Sequence, residues 1–150
     1  MKQWRSVDEV LDFAISEEEA AAAFYSRLAR ETSNAAMRQA FEGFAREELG
    51  HKDKLKAVRL WQCFPAENKP VPDLKIADYV TDVEPTPDMS YRDALTVAMK
   101  KEKAAYRLYT WLADRVQDAK LKAVFVSLAQ EEAKHKLRFE IEYDDLMKDQ

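Results

Sequence analysis

Glycine is nearly missing from this chain: 150 residues contain only Gly43 and Gly50. Folds rich in β-turns rely on glycine for backbone conformations other residues avoid, so long helices suit this chain far better than a turn-rich β fold. Cysteine is reduced to Cys63, which rules out an intramolecular disulfide and any Cys-x-x-Cys metal site. No apolar run approaches the roughly 20 residues needed to cross a bilayer. Met1-Lys2-Gln3-Trp4-Arg5 leads into polar sequence without an apolar signal core, so the expectation is a cytoplasmic protein with no membrane association. A cationic excess is missing too. The 24 basic and 28 acidic residues give a net charge of −4, and their interspersion leaves no basic patch for nucleic acid.

What remains suits long helices. Hydrophobic residues make up 47% and charged residues 35% of the chain, a composition favourable to amphipathic helices with one buried face. At this length a single domain can bury a substantial core.

The chain is also a repeat of itself. Aligning Ser6–Lys52 with Ser90–Lys136, an offset of 84 residues, gives 16 identities in 47 positions without a gap. Each copy begins with a capping signal, Ser6-Val-Asp-Glu9 and the weaker Ser90-Tyr-Arg-Asp93. Polar breaks at Ser33-Asn34 and Gln117-Asp118 divide each copy into two helices. The predicted helices are 7–32, 35–61, 91–116 and 119–147. All five prolines fall in 62–89, which marks that stretch as a connection because proline removes a donor and fixes φ. A short helical turn is expected near Leu74–Val80. Two helix pairs, 6–61 and 90–148, joined by a long crossover predict an all-α, ferritin-like four-helix bundle in one domain.

Apolar spacing shows which side chains face inward. The first helix reads Leu11, Ala14, Glu18, Ala21, Tyr25, Leu28, and the second Met37, Phe41, Phe44, Glu48, His51, Leu55, Val58. The third reads Leu95, Ala98, Glu102, Ala105, Tyr109, Leu112, Val116, and the fourth Leu121, Phe125, Leu128, Glu132, His135, Phe139. Every stripe is interrupted near its middle by a glutamate. Burying a carboxylate without compensation costs several kcal/mol, roughly, and no lysine or arginine occupies these stripes. Two divalent cations would balance four carboxylates, and two neutral imidazoles would complete the shells. Both histidines of the chain follow a glutamate by three residues, a spacing that sets both side chains on one helix face. A lone glutamate on a helix is ordinarily a solvated charge; six potential ligands at matched inward positions are not. Glu17, Glu19, Glu47 and Glu131 lie off the stripes and are expected at the surface. Glu142 falls on the fourth stripe but near its end, where fraying into water is expected.

The motifs Glu18-Glu-Ala-Ala-Ala-Ala-Phe-Tyr25 with Glu48-Leu-Gly-His51, and Glu102-Lys-Ala-Ala-Tyr-Arg-Leu-Tyr109 with Glu132-Ala-Lys-His135, resemble the rubrerythrin-like branch of the ferritin-like di-iron superfamily. The resemblance implies two iron ions, bridged by Glu48 and Glu132. Glu18 and Glu102 become terminal carboxylates, and His51 and His135 terminal imidazoles. It also implies that Tyr25 and Tyr109 donate to the carboxylate ligands, against the plainer reading of core aromatics. Two departures stand out. The lone Cys63 cannot build the rubredoxin-like iron site of the well-known rubrerythrins. Ala105 replaces the additional glutamate those proteins carry three residues beyond the third-helix ligand.

The functional expectation is a di-iron oxidoreductase, peroxidase- or ferroxidase-like, reducing peroxide or oxygen with an external electron donor. The alternatives are a ferroxidase that stores or detoxifies iron, and a non-catalytic bundle stabilised by metal. Manganese or zinc would also suit mixed carboxylate–imidazole ligands. A homodimer is expected from the family. Trp4, Trp61 and Trp111 are expected to serve packing or dimer contacts, and Cys63 to be incidental.

Overall fold

Each repeat opens on a serine that closes the first turn of its helix. Ser6, in extended conformation, accepts from the amide of Glu9 at 3.2 Å, and Ser90 accepts from that of Asp93 at 3.1 Å. These bonds satisfy amides the helix itself leaves without acceptors. The computed structural model describes residues 6–61 and 89–148. They form four helices: α1 (Val7–Glu31), α2 (Ala35–Trp61), α3 (Tyr91–Arg115) and α4 (Ala119–Lys148). These ends match the predicted ones to within a residue. No strand occurs among the described residues. The crossover at 62–88, the turn expected near Leu74–Val80, Trp4 and Cys63 lie outside them, as does the side chain of Trp61.

The polar breaks both end one helix and start the next. Asn34 Oδ1 accepts from the Met37 amide at 3.1 Å, while Asp118 Oδ1 accepts from Lys120 and Leu121 at 2.8 and 3.2 Å. At the first corner Arg38 adds a clasp, donating from Nε to the Ala29 carbonyl at 3.2 Å and from its terminal nitrogen to that of Thr32 at 3.1 Å. Carbonyls at the end of α1 thereby gain a charged donor.

Turns this short fold each pair back on itself. Arg59, near the end of α2, pairs with Asp12 at 3.1 Å and Asp8 at 3.6 Å near the start of α1. At the matching end of the other pair, the Tyr91 hydroxyl donates to Glu142 at 3.2 Å. Each pair is a compact unit.

The inward stripes form the interior. Leu11, Tyr25, Leu28, Phe41 and Leu55 are buried in the first pair, and Leu95, Tyr109, Leu112, Phe125 and Phe139 in the second. Burying one such side chain stabilises by about 1.5–3 kcal/mol. Four stripe positions are only half-buried: Phe44, Val58, Ala105 and Val116. Val116 lies just past α3 as its C-cap, with ψ 142°, so it leaves the helical face altogether.

Two expectations need correction. Glu142 does not fray: α4 runs on to Lys148, and the Tyr91 hydrogen bond holds the carboxylate in a half-buried position. Burial pushes its pKa up, against the Tyr91 bond, which lowers it. Glu131 is half-buried, whereas Glu17, Glu19 and Glu47 are exposed as expected. Trp111 is buried, with the Arg115 guanidinium 5.1 Å from its ring centroid. Among the described residues no helix is long and apolar enough to cross a membrane.

Candidate metal centre

The six predicted ligands are the most buried charged groups of the described chain. Glu18, His51 and His135 are 2% exposed, and Glu48, Glu102 and Glu132 are 1% exposed. Helix geometry places them. Glu18 stands on α1 one turn after Ala14 and one before Ala21, in the middle of the stripe that faces α2. Glu48 and His51 are one turn apart on α2 and point the same way. The second pair repeats the layout, with Glu102 on α3 and Glu132 and His135 on α4.

Within the first pair Glu18, Glu48 and His51 each offer one ligand atom within 4.8 Å of the others, and within the second pair Glu102, Glu132 and His135 do the same. His51 Nδ1 lies 3.5 Å from Glu18 Oε2 and 3.4 Å from Glu48 Oε1. His135 Nδ1 lies 3.6 Å from Glu102 Oε1. Two donors about 2.1 Å from one cation, with about 90–110° between them, lie about 3.0–3.4 Å from each other. The observed separations are at or slightly above that range, and at the long limit for hydrogen bonds. Two carboxylates and an imidazole around one point, shielded from water, form a donor set that fits a divalent metal ion.

The electrostatics agree. Burial drives the Glu18 pKa well above the ordinary carboxylate range, and the neighbouring Glu48 charge adds to the rise, while His51 opposes it. Burial alone would push His51 down, but Glu18 and Glu48 facing it outweigh that and raise it to about 10. Without a metal, a proton held between these groups is what keeps the negative charge tolerable. A cation would take over that role and release the proton.

Tyr25 and Tyr109 are fully enclosed, at 0% and 1% exposure, on the same faces as Glu18 and Glu102. Tyr25 meets the edge of Phe44, ring centroids 6.4 Å apart, which accounts for an aromatic at that half-buried position. No histidine or acidic residue beyond the predicted six joins either cluster among the described residues. Ala105 is half-buried and brings no carboxylate, so α3 contributes Glu102 alone.

The chain is similar to known structures over nearly its whole length. A Thermotoga maritima protein, described as a candidate ferritin-like diiron-carboxylate protein, superposes with a TM-score of 0.82 at 18% identity, covering 96% of this chain and 98% of that one. A hypothetical protein from Pyrococcus furiosus superposes with a TM-score of 0.74 at 27% identity, covering 95% of this chain and 91% of its own. No curated protein matches. The first likeness establishes the all-α, ferritin-like fold predicted from the repeat. The rubrerythrin family profile matches residues 9–143, and with buried Glu-Glu-His sets in both halves the chain belongs to the rubrerythrin family.

Proposed function

We propose that this protein binds two iron ions and acts as an oxidoreductase, reducing peroxide or oxygen with electrons from an external donor. Glu18, Glu48 and His51 supply one set of ligands, and Glu102, Glu132 and His135 the other. By the family pattern Glu48 and Glu132 would be the carboxylates shared by the two ions. The observation that carries this reading is the pair of buried two-carboxylate, one-imidazole sets at positions related by the 84-residue repeat.

Bound iron would supply the redox equivalents that no side chain among the ligands can provide. The protein's own contribution is positional and electrostatic. Stiff, mutually packed helices fix the ligand atoms, and near-complete burial excludes water that would weaken their fields. Tyr25 and Tyr109 orient the carboxylates from the same helix faces. His51, held protonated when no cation is present, yields its proton as a neutral ligand. A lone Cys63 and the absence of any cysteine pair support a separate electron donor.

Stopped-flow reoxidation of the reduced, iron-loaded protein tests this. Hydrogen peroxide is expected to reoxidise it far faster than it does a Glu48→Ala/Glu132→Ala variant. Equal rates would remove the oxidoreductase reading, and two firmly bound zinc ions in protein purified without chelators would remove iron. Tyr25→Phe and Tyr109→Phe are expected to keep the metal and slow reoxidation.

A further inference from the structure

The second helix pair carries a feature that the metal site does not use. Between α3 and α4, on a flank open to solvent, lies a groove of about 380 Å³. Lys103, Tyr106 and Arg107 line it from α3, and Ala133, Lys136, Leu137 and Glu140 from α4. These positions sit just around the helix from the buried stripes: Lys103 follows Glu102, Ala133 follows Glu132, and Lys136 follows His135.

We infer that this groove binds an organic anion bearing an aromatic ring, and that it does so independently of the metal site. Its size falls in the usual range for small-molecule pockets, roughly 300–1,000 Å³. Its apolar part is open to solvent, with Tyr106 43% and Leu137 56% exposed. A flat ring can stack on Tyr106 and cover Leu137 and Ala133. The charged rim has three cations, Lys103, Arg107 and Lys136, against one carboxylate, Glu140, which already pairs with Lys136. A basic groove on a chain of net charge −4 selects an anion, and a guanidinium binds carboxylate or phosphate through charge-assisted hydrogen bonds. The same charge disfavours a second copy docking groove to groove across a two-fold axis, since that places the two sets of cations against each other.

The repeat supplies an internal control. The matching positions of the first pair are Glu19, Ala22, Ala23, Leu49, Lys52, Asp53 and Lys56. There the tyrosine and arginine become alanines, the open leucine becomes an aspartate, and Lys52 pairs with Glu19 at 3.5 Å. The ring platform and the positive excess are both lost. Only the second half is built for an anion.

Fluorescence titration of the full chain, metal-free and iron-loaded, tests this with two probes, flavin mononucleotide and anilinonaphthalene sulfonate. Saturable binding of one flavin mononucleotide per chain is expected in both states, weakening as salt is raised. Riboflavin, which lacks the phosphate, is expected to bind about tenfold more weakly. Tyr106→Ala, Arg107→Ala and Leu137→Asp alter exposed residues, each introducing the residue found at the matching position of the first pair. Each is expected to weaken flavin mononucleotide about tenfold with an unchanged melting temperature. Failure of both probes to saturate by about 1 mM would overturn the inference, as would unchanged binding in all three variants. Loss of self-association in those variants, with probe binding intact, would assign the groove to a second copy and overturn it as well. Peroxide reactivity enters none of these readouts, so this inference and the proposed function can fail separately.

Discussion

The two helix pairs share a pattern inside and diverge outside. Leu11, Glu18, Tyr25, Leu28, Phe41, Glu48 and His51 recur 84 residues later as Leu95, Glu102, Tyr109, Leu112, Phe125, Glu132 and His135, and every one of these is buried. One turn along the same helices the agreement stops. At the edge of the interior, the half-buried Arg27 pairs with Glu31 at 2.7 Å, while their counterparts, the buried Trp111 and the exposed Arg115, form a cation–π contact. At the corners, Arg38 clasps the end of α1, and its counterpart is Lys122. A packed interior tolerates little change in shape and a ligand set tolerates almost none, whereas exposed positions can change at small cost. Divergence is therefore informative where it falls, as in the groove on α3 and α4.

Equivalence of the two ligand sets can be broken most directly at the metal. Glu48→Ala and Glu132→Ala are each expected to lower bound iron from two ions to at most one, read by elemental analysis. Retention of both ions in either variant would make the halves unequal and deny that glutamate a bridging role. Loading the metal-free protein near neutral pH is expected to release protons, because His51 stays protonated up to about pH 10 and must bind as neutral imidazole. Iron affinity therefore rises with pH, and an indicator dye should report acidification that is smaller in His51→Gln. The sign for folding is the opposite. A raised histidine stabilises the metal-free fold below its ordinary value of 6.5, and that contribution is lost as pH rises toward about 10.

In the core, Leu11→Ala and Leu95→Ala remove equally buried side chains. Each is expected to destabilise the metal-free protein by about 3 kcal/mol in urea melts. A clear difference would mean that one pair carries more of the stability. Smaller effects are expected at the corners. Asn34→Ala and Asp118→Ala should each cost about 1 kcal/mol, with Asp118 the larger because it accepts from two amides. Arg38→Met should destabilise measurably where Lys122→Met does not. Smallest is Tyr91→Phe, at about 0.5–1 kcal/mol for one half-buried hydrogen bond, with Glu142 titrating still higher once its donor is gone.

Much of this was legible because the signals are local. Ser6 and Ser90 act within one turn, so the helix starts could be placed. A glutamate in an apolar stripe is visible in one dimension because the stripe repeats every three or four residues. The errors came where a partner lies far along the chain. Glu142 looked like a fraying end until Tyr91, 51 positions earlier, supplied a hydrogen bond. Phe44 appeared fully inward, yet it ends half-buried against Tyr25. The breaks at Asn34 and Asp118 were recognised as stops, but the capping of the following helices by the same side chains needed the backbone path.

By itself the sequence determined the two helix pairs, the inward stripes and the six ligand candidates, because repeat, periodicity and capping all operate over a few residues. Only the tertiary structure decided that the donor atoms of each set come within 4.8 Å of one another. It alone also decided that Trp111 is enclosed, that Glu142 is held, and that six side chains spread over α3 and α4 meet Tyr106 at one open groove. Those facts depend on distances between helices, which apolar spacing along a single helix does not encode.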